Sequence, residues 1–332
     1  MDSSVSPAAK THDGPAASPS IADDSLELIV PCYNEEESLK PFYEAIVKVR
    51  TQLRSTLSLI LVDDGSNDKT MDIMRDLAEQ DPHVHCISLS RNFGKEAAMY
   101  AGFCRAAKSH ASYYGVIDVD LQDPPELIPK MIATIHESGC DSVAAYRFTR
   151  KGERRIRSFC ASLFYKLLRR LSSIEVVEGA RDFRIMNRRM FDAVVSLSER
   201  VRFTKGIFQW VGFDTRWIGY ENVERERGES KWSFRALVSY ALEGVISFTE
   251  APMRTMVAVG LSMAGVSALI LLIMLIYALT MGTAINTLAC IIFIVALFAG
   301  LQIFCLGIVG LYVAQTYTEA RARPVFIIKE EH

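Results

Sequence analysis

From Leu26 to Tyr146 the chain alternates between short apolar runs and longer stretches with apolar residues at helical spacing. The runs Leu26–Val30, Leu57–Val62, Val84–Leu89, Tyr113–Ile117 and Ser142–Tyr146 are predicted strands, apolar at nearly every position. Between them Ser38–Leu53, Asp68–Glu79, Lys95–Lys108 and Pro125–His136 are predicted helices. Strand and helix in this alternation build βαβ units, so an α/β fold with a mainly parallel sheet covered on both faces is expected. Ligands of such sheets bind beyond the carboxyl ends of the strands. Residues 147–235 are less regular, with a predicted helix over Arg155–Leu171, a short strand over Phe183–Met186, another helix and the charged loop ENVERERGESKW.

A different pattern follows. Over Ser233–Glu250 the residues Phe234, Leu237, Val238, Leu242, Val245, Ile246 and Phe248 fall on roughly one side, as in a helix lying in a membrane interface. Between Arg254 and Glu319 there is no Asp, Glu, Lys, Arg or His. That stretch far exceeds the roughly 20 residues one helix needs to cross a bilayer. MGTAINT (Met281–Thr287) divides it into two expected spans, 255–280 and 288–313. Arg254 precedes the first span, Arg321, Arg323 and Lys329 follow the second, and the connecting loop carries no Lys or Arg. The positive-inside rule then puts both termini and the α/β domain in the cytoplasm, at the plasma or inner membrane.

Residues 1–24 are rich in Ser, Ala, Pro and Asp and read as a disordered tail; they hold no apolar core of a signal peptide. The expected division is therefore a tail (1–24), an α/β domain (25–232), a juxtamembrane helix (233–254), two spans, and a cytoplasmic tail (314–332). Composition adds little. Thirty-seven Lys and Arg against 39 Asp and Glu give a net charge of -2, no sign of a nucleic-acid partner. The 7 cysteines are scattered without a CxxC pair, so reduced thiols rather than disulfides or a zinc site are expected.

Polar residues gather at the predicted strand ends. The first strand runs into Pro31-Cys32-Tyr33-Asn34-Glu35-Glu36, where Pro31 is expected to end the ladder and Tyr33 with the acids either meets a ring or ribose or caps the next helix. The second ends in Asp63-Asp64-Gly65-Ser66, read equally as a nucleotide contact or a tight turn. The fourth runs into Asp118-Val119-Asp120-Leu121-Gln122. Alternate residues of an extended chain point the same way, so Asp118 and Asp120 concentrate negative charge that a hard divalent cation would relieve, with Gln122 offering a third oxygen. Cationic partners for a diphosphate are available in Arg147, Arg150, Lys151, Arg154, Arg155 and Arg157, and in Arg225, Arg227 and Lys231; the same residues also suit an anionic lipid surface. Asp182, between Arg181 and Arg184, reads either as a structural ion pair or as an acid beside the reacting centre. Arg91-Asn92-Phe93-Gly94-Lys95 reads as a helix start, with Lys95 a lesser candidate for an anion. No GxSxG, Walker or GxGxxG motif supports a hydrolase, ATPase or Rossmann oxidoreductase.

Taken in order, VPCYNEEESL, LVDDGSNDKT, RNFGKEAAMYAGF, DVDLQDPPE, ARDFRIMNRR and ERGESKWSF resemble family 2 glycosyltransferases, and among them the polyprenyl-phosphate glycosyltransferases, which include bactoprenol glucosyltransferases and dolichol-phosphate mannose synthases. The resemblance implies a GT-A fold and inverting transfer of a sugar from a nucleotide-diphosphate sugar to a lipid-linked phosphate. It implies that Pro31, Tyr33, Glu35, Asp63, Asp64 and Asp118 hold the nucleotide. Asp118, Asp120 and Gln122 would hold Mg²⁺ or Mn²⁺, with Asp120 and Asp182 catalytic. Arg147, Arg154, Arg155, Arg157 and Ser158 would grip the acceptor phosphate, and Arg225, Arg227, Ser230 and Lys231 would close over the phosphates. UDP-glucose and undecaprenyl phosphate are the expected substrates, GDP-mannose or another UDP-sugar the alternative donor, and a homo-oligomer the expected assembly. Selection of the sugar is expected around Trp210, Phe213 and Trp217. Two rivals remain from other classes: a processive polysaccharide synthase, which the missing QxxRW motif disfavours, and an inactive membrane scaffold, which the intact strand-end acids disfavour.

Overall fold

A computed structural model describes residues 24–147, 179–221 and 287–332, together with scattered positions between 256 and 280. The expected N-terminal tail, the helix Arg155–Leu171 and the juxtamembrane helix lie outside the described residues. Strands β1 (Ser25–Cys32), β2 (Thr56–Asp63), β3 (Val84–Leu89), β4 (Tyr113–Val116) and β5 (Ser142–Arg147) alternate with helices α1 (Leu39–Arg50), α2 (Thr70–Gln80), α3 (Lys95–Ala106) and α4 (Ile128–Ser138). There follow β6 (Ala180–Asn187), α5 (Arg188–Ser196), α6 (Thr204–Trp210), β7 (Thr215–Tyr220), α7 (Thr287–Ala320) and β8 (Ile328–Glu331). One eight-stranded sheet has the order β7-β5-β6-β4-β1-β2-β3-β8. The pairs β1–β2, β1–β4, β2–β3 and β5–β7 are parallel, whereas β4–β6, β5–β6 and β3–β8 are antiparallel.

Burial on both faces explains why the strands are apolar throughout. Along β1, Leu26, Leu28 and Val30 pack with Leu39, Phe42 and Ile46 of α1 and Met131 of α4. Ile29 points to the other face, against Ala98 and Phe103 of α3 and Phe191 of α5. A Cβ on Gly102 of α3 would lie 2.3 Å from Ile29 Cγ2, so only glycine lets this helix seat on β1. Pro31 does not end β1, which continues to Cys32 with Pro31 paired to Val62. The reason is local. Ile29 O accepts from Ile117 N, so the ring of Pro31 faces the side where β4 has already finished at Val116, and its missing N–H costs the ladder nothing.

The C-terminal residues depart from the expected tail. They return to the domain as β8, with Cys86 and His332 exchanging N–H···O bonds of 2.9 and 2.8 Å at the sheet edge. Arg200 of the α5–α6 connection donates to Glu319 at the end of α7 (backbone N to Oε1, 2.7 Å), and its Nε to the Arg323 carbonyl at 2.9 Å. Tyr100 of α3 meets the Phe326 ring edge-on at 5.9 Å.

The expected second span, 288–313, falls inside α7. Among the described residues this is the one helix long and apolar enough to cross a bilayer, over Phe298–Ala320, and none of that stretch is buried in protein. Every described position between 256 and 280 is helical, with Val266, Leu269, Leu272 and Ile273 all more than half exposed. The described cysteines, Cys32, Cys86, Cys104, Cys140 and Cys305, are free thiols.

Candidate active site

The loops that leave β1 and β2 are stitched to one another. Asn34, in the left-handed region at φ 53°, donates its N–H to Ser66 Oγ at 2.9 Å, while its own Oδ1 accepts from Asn67 N at 2.8 Å. Glu35 N donates to Thr70 Oγ1 at 2.8 Å, and the Glu35 carboxylate accepts from Ser38 Oγ at 2.8 Å. Asp63 accepts from Ser66 N (3.0 Å) and from Ser88 Oγ on β3 (2.9 Å). These bonds fix a cavity of about 520 Å³ beyond the carboxyl ends of β1, β2 and β3. Tyr33, Asp63, Ser88, Arg91, Arg75 and Glu330 are among its lining residues.

Asp64 points away from that space. Its two carboxylate oxygens accept from Phe93 N at 2.7 Å and Gly94 N at 2.9 Å, holding the loop that starts α3. Burial raises its pKa, and those two bonds oppose the rise. Any contribution of Asp64 to nucleotide binding is therefore made through this loop.

Beyond β4 lies a compact set of acids and cations. Lys95, the first residue of α3, places Nζ 2.6 Å from Asp118 Oδ1 and 2.7 Å from Asp182 Oδ2. Lys205 of α6 stands 3.8 Å from the other Asp182 oxygen. Burial works against a charge on Asp182, yet Lys205, Lys95 and Arg181 together hold its carboxyl well below the usual range. Lys95 is correspondingly raised: burial opposes its charge, but Asp118 and Asp182 outweigh that. Asp123, fully buried, accepts from Arg181 Nε at 2.9 Å and from the Tyr220 hydroxyl. Arg181 NH2 then reaches to 3.7 Å from Asp118.

Leu121 at φ 55° turns the chain after β4, so that Gln122 N donates to Asp120 Oδ1 at 3.2 Å. Gln122 Oε1 accepts from Arg147 NH2 at 2.8 Å, which brings the last residue of β5 to the same group. Asp118, Asp120 and Gln122 offer hard oxygens at one strand end, the donor type that Mg²⁺ or Mn²⁺ takes. Among the described residues no three His, Cys, Asp or Glu side chains converge on one point. A cation held here would take its remaining oxygens from a ligand or water.

Thus Pro31, Tyr33, Glu35, Asp63, Asp64, Asp118, Asp120, Gln122, Arg147 and Asp182 all lie on the carboxyl-end side of the sheet. Arg154, Arg155, Arg157, Ser158, Arg225, Arg227, Ser230 and Lys231 lie outside the described residues. Trp210 is 60% exposed on α6, and Trp217 on β7 packs edge-on to Tyr146; neither they nor Phe213 line the cavity. Sequence reasoning did not single out Asp123, Lys205 or Tyr220, and treated Lys95 mainly as a helix start. The signal for Lys95 was its place, at a helix start after the loop that leaves β3. Lys205 and Tyr220 carry none, because only the folded chain brings α6 and β7 to this point.

The family model described as Glycosyl transferase family 2 matches residues 27–195. A Bacillus subtilis (strain 168) protein carrying the glycosyltransferase name CsbB is 38% identical over 307 residues, 92% of this chain and 91% of its own length. The SfII prophage-derived bactoprenol glucosyl transferase of Shigella flexneri is 37% identical over 309 residues, 92% of this chain and 98% of its own. Among solved structures, glucosyl-3-phosphoglycerate synthase from Mycobacterium tuberculosis in complex with phosphoglyceric acid superposes with a TM-score of 0.45 at 16% identity. That likeness covers 68% of this chain and 79% of the other, and is too loose to say anything about substrate.

Proposed function

The chain belongs to glycosyltransferase family 2 and is a glycosyltransferase, and from that premise we propose that it moves glucose from UDP-glucose to a polyprenyl phosphate, with inversion, at the cytoplasmic face of a membrane. The observation that carries this reading is that the cavity near Tyr33 and Asp63 and the Lys95–Asp118–Asp182 group both lie at the carboxyl-end side of one sheet. In this reading the first would take the nucleoside and the second the diphosphate sugar. The bactoprenol glucosyl transferase names among the relatives support the acceptor class and the sugar.

In the proposed reaction an acceptor phosphate oxygen attacks the sugar's anomeric carbon from the face opposite the leaving group. The bond from that carbon to the diphosphate oxygen breaks, and the electron pair leaves with the nucleoside diphosphate. The acceptor is a phosphate monoester with a second pKa of about 6, so at pH 7 it is largely ionised and needs no base to deprotonate it. Asp182 suits such a reaction. A carboxyl held so far down by Lys205 and Lys95 is a weak proton acceptor and a permanent negative charge. Its part is to orient Lys95 and to set the field at the reacting centre. Arg147 and Arg181, fixed by Gln122 and by Asp123, present positive charge to the phosphates. Asp118, Asp120 and Gln122 would hold Mg²⁺ or Mn²⁺, which offsets the charge left on the departing diphosphate.

The membrane placement is supported by the apolar side chains that α7 leaves uncovered, such as Ile303 at 71% and Leu306 at 69% exposure. Strand β8 puts the end of α7 on the same side as the sheet. A crossing by α7 would need a second crossing to bring β8 back to the sheet that holds β7, which supports a helical hairpin over 255–313. The deciding experiment is turnover by the purified full chain with undecaprenyl phosphate and Mn²⁺ or Mg²⁺ against radiolabelled UDP- and GDP-sugars. Label from UDP-glucose in a butanol-extractable lipid monophosphate is expected. Transfer only from GDP-mannose would overturn the donor, and no transfer from any donor by folded protein would overturn the acceptor.

A further inference from the structure

The cavity near Tyr33 has a wall that comes from the far end of the chain. Lys329 and Glu330 of β8 both line it, together with Asp63, Ser66 and Ser88. Consecutive residues of a regular strand point to opposite faces, so both cannot face one cavity unless the strand is irregular. It is irregular here. Ser88 pairs with Glu330 and Leu89 with Ile328, which leaves Lys329 as the extra residue of a β-bulge. Bulges re-aim side chains in this way next to functional sites. Glu330 is then fixed by another lining residue, Arg75 of α2, whose NH2 donates to Oε1 at 2.6 Å.

The position of this wall says which part of a ligand it would meet. The acids after β4 and the β8 edge are four strand steps apart in the sheet, roughly 19 Å at about 4.8 Å per strand. A nucleoside diphosphate with its phosphates at Asp118 and Asp120 and its nucleoside in the cavity of Tyr33 and Asp63 would direct the edge of its base toward β3 and β8. We infer that Lys329 and Glu330 read the edge of the donor's base, so that the strand following the membrane helix completes the nucleotide site. The inference rests on the donor reading above. The bases offer both groups a partner, an N–H that donates to the Glu330 carboxylate and a ring carbonyl that accepts from the Lys329 ammonium. The same strand ties α7 to the catalytic domain, so the site is whole only when the chain has passed through the membrane and returned.

Binding of UDP to the detergent-purified full chain with Mn²⁺ present, measured by isothermal titration, tests this. Glu330→Gln keeps the size of the side chain and removes its charge. Loss of a hydrogen bond to a charged group corresponds to a roughly tenfold rise in the UDP Kd. Lys329→Ala is expected to weaken UDP similarly, and neither variant is expected to change competition by inorganic pyrophosphate, which has no base. Glu331→Gln is the control for docking of the strand, because Glu331 leaves the cavity and pairs with Arg105 at 2.7 Å. It is expected to bind UDP within twofold of wild type. If Glu330→Gln and Lys329→Ala bind UDP as wild type does, or if Glu331→Gln weakens it as much as they do, the inference is overturned and β8 is only an edge strand. A wild-type chain that binds pyrophosphate but no UDP would overturn the uridine donor, and this inference with it.

Discussion

Lys95 Nζ lies 2.7 Å from Asp182 Oδ2, and the same ammonium lies 2.6 Å from Asp118 Oδ1. A single cation therefore joins the acid at the end of β4 to the acid of β6, and neither carboxylate can move without the other. Lys95 holds this place because Asp64 fixes the two residues before it through their N–H groups. Replacing Lys95 by Met removes the shared charge and leaves Asp118 and Asp182 facing one another. Turnover is expected to fall by about 100-fold or more, the scale seen when one electrostatic stabiliser is lost. Steady-state kinetics on the purified variant check this, and a variant within threefold of wild type would remove Lys95 from the site.

Asp182→Asn separates charge from base chemistry. With the acceptor already ionised, the variant is expected to lose turnover while its UDP affinity stays within twofold, because Asp182 acts on the site through Lys95, which the uncharged amide can still accept from. The pH profile gives the second readout. Asp182 is depressed in the folded chain, so it stays ionised through neutral and mildly acidic pH. The stability its ion pairs provide is fully present above the unfolded carboxyl value of about 3.9 and is lost only as pH falls below it. The acid limb of kcat/KM is therefore expected to follow the acceptor near its second pKa of about 6. A limb that moves in Asp182→Asn would show that Asp182 takes the proton after all.

Asp120→Ala tests the cation. Asp120 is expected to share a divalent ion with Asp118 and Gln122, so the variant should lose the activation that Mn²⁺ or Mg²⁺ confers, and EDTA should silence the wild type reversibly. Turnover that is independent of metal in either protein would sink the assignment.

Much of this was written in the strands. Val84–Leu89 is the same in sequence and structure, and Tyr113–Ile117 differs by a single residue, because strands buried on both faces leave an unbroken apolar run. The strand Phe183–Met186 grew to Ala180–Asn187, since its outer residues are polar and its pairing with β4 and β5 decides its length. Strand β8 was invisible: Ile328–Glu331 has too short an alternation to score, and its partner β3 is most of the chain away. Asp63, Asp118 and Asp120 were legible because each stands at or just after the end of an apolar strand. Lys205, Asp123 and Tyr220 were not legible as partners, since ion pairing across elements has no period in the sequence.

Gly65 shows how tightly the donor side is built. It sits at φ +67°, and a Cβ there would come within 2.4 Å of the Arg91 backbone carbon. A backbone atom cannot step aside as a side-chain end can. Gly65→Ala adds left-handed strain of about 1–2 kcal/mol to that clash. The loop of β2 and the Arg91–Gly94 loop must then separate, pulling on the Asp64 bonds that position Lys95. A lowered melting temperature and weaker UDP binding are expected together, and an unaffected variant would mean that the two loops are not packed as described.

Asp123 is the most exacting test, because its role is to position rather than to react. It is fully buried, and its partners are Arg181 Nε at 2.9 Å and the Tyr220 hydroxyl. Burial raises its pKa, Arg181 opposes that rise, and the Asp118 charge adds to it. Removing one member of a buried charged pair costs about 3–5 kcal/mol, mostly by leaving the other charge without compensation. Asp123→Ala should therefore unfold at markedly lower denaturant. Tyr220→Phe removes one neutral donor and keeps the ion pair, so it should cost only about 1–3 kcal/mol. The functional readout separates positioning from mere stability. With Asp123 gone, Arg181 is free to swing fully onto Asp118, now 3.7 Å away, and to compete with a bound cation. Asp123→Ala assayed well below its melting temperature is then expected to need more Mn²⁺ for half-maximal turnover, while Tyr220→Phe keeps the wild-type requirement. If both variants lose stability and neither changes the metal requirement, Asp123 is a structural acid, and Arg181 has no part in setting the charge at Asp118.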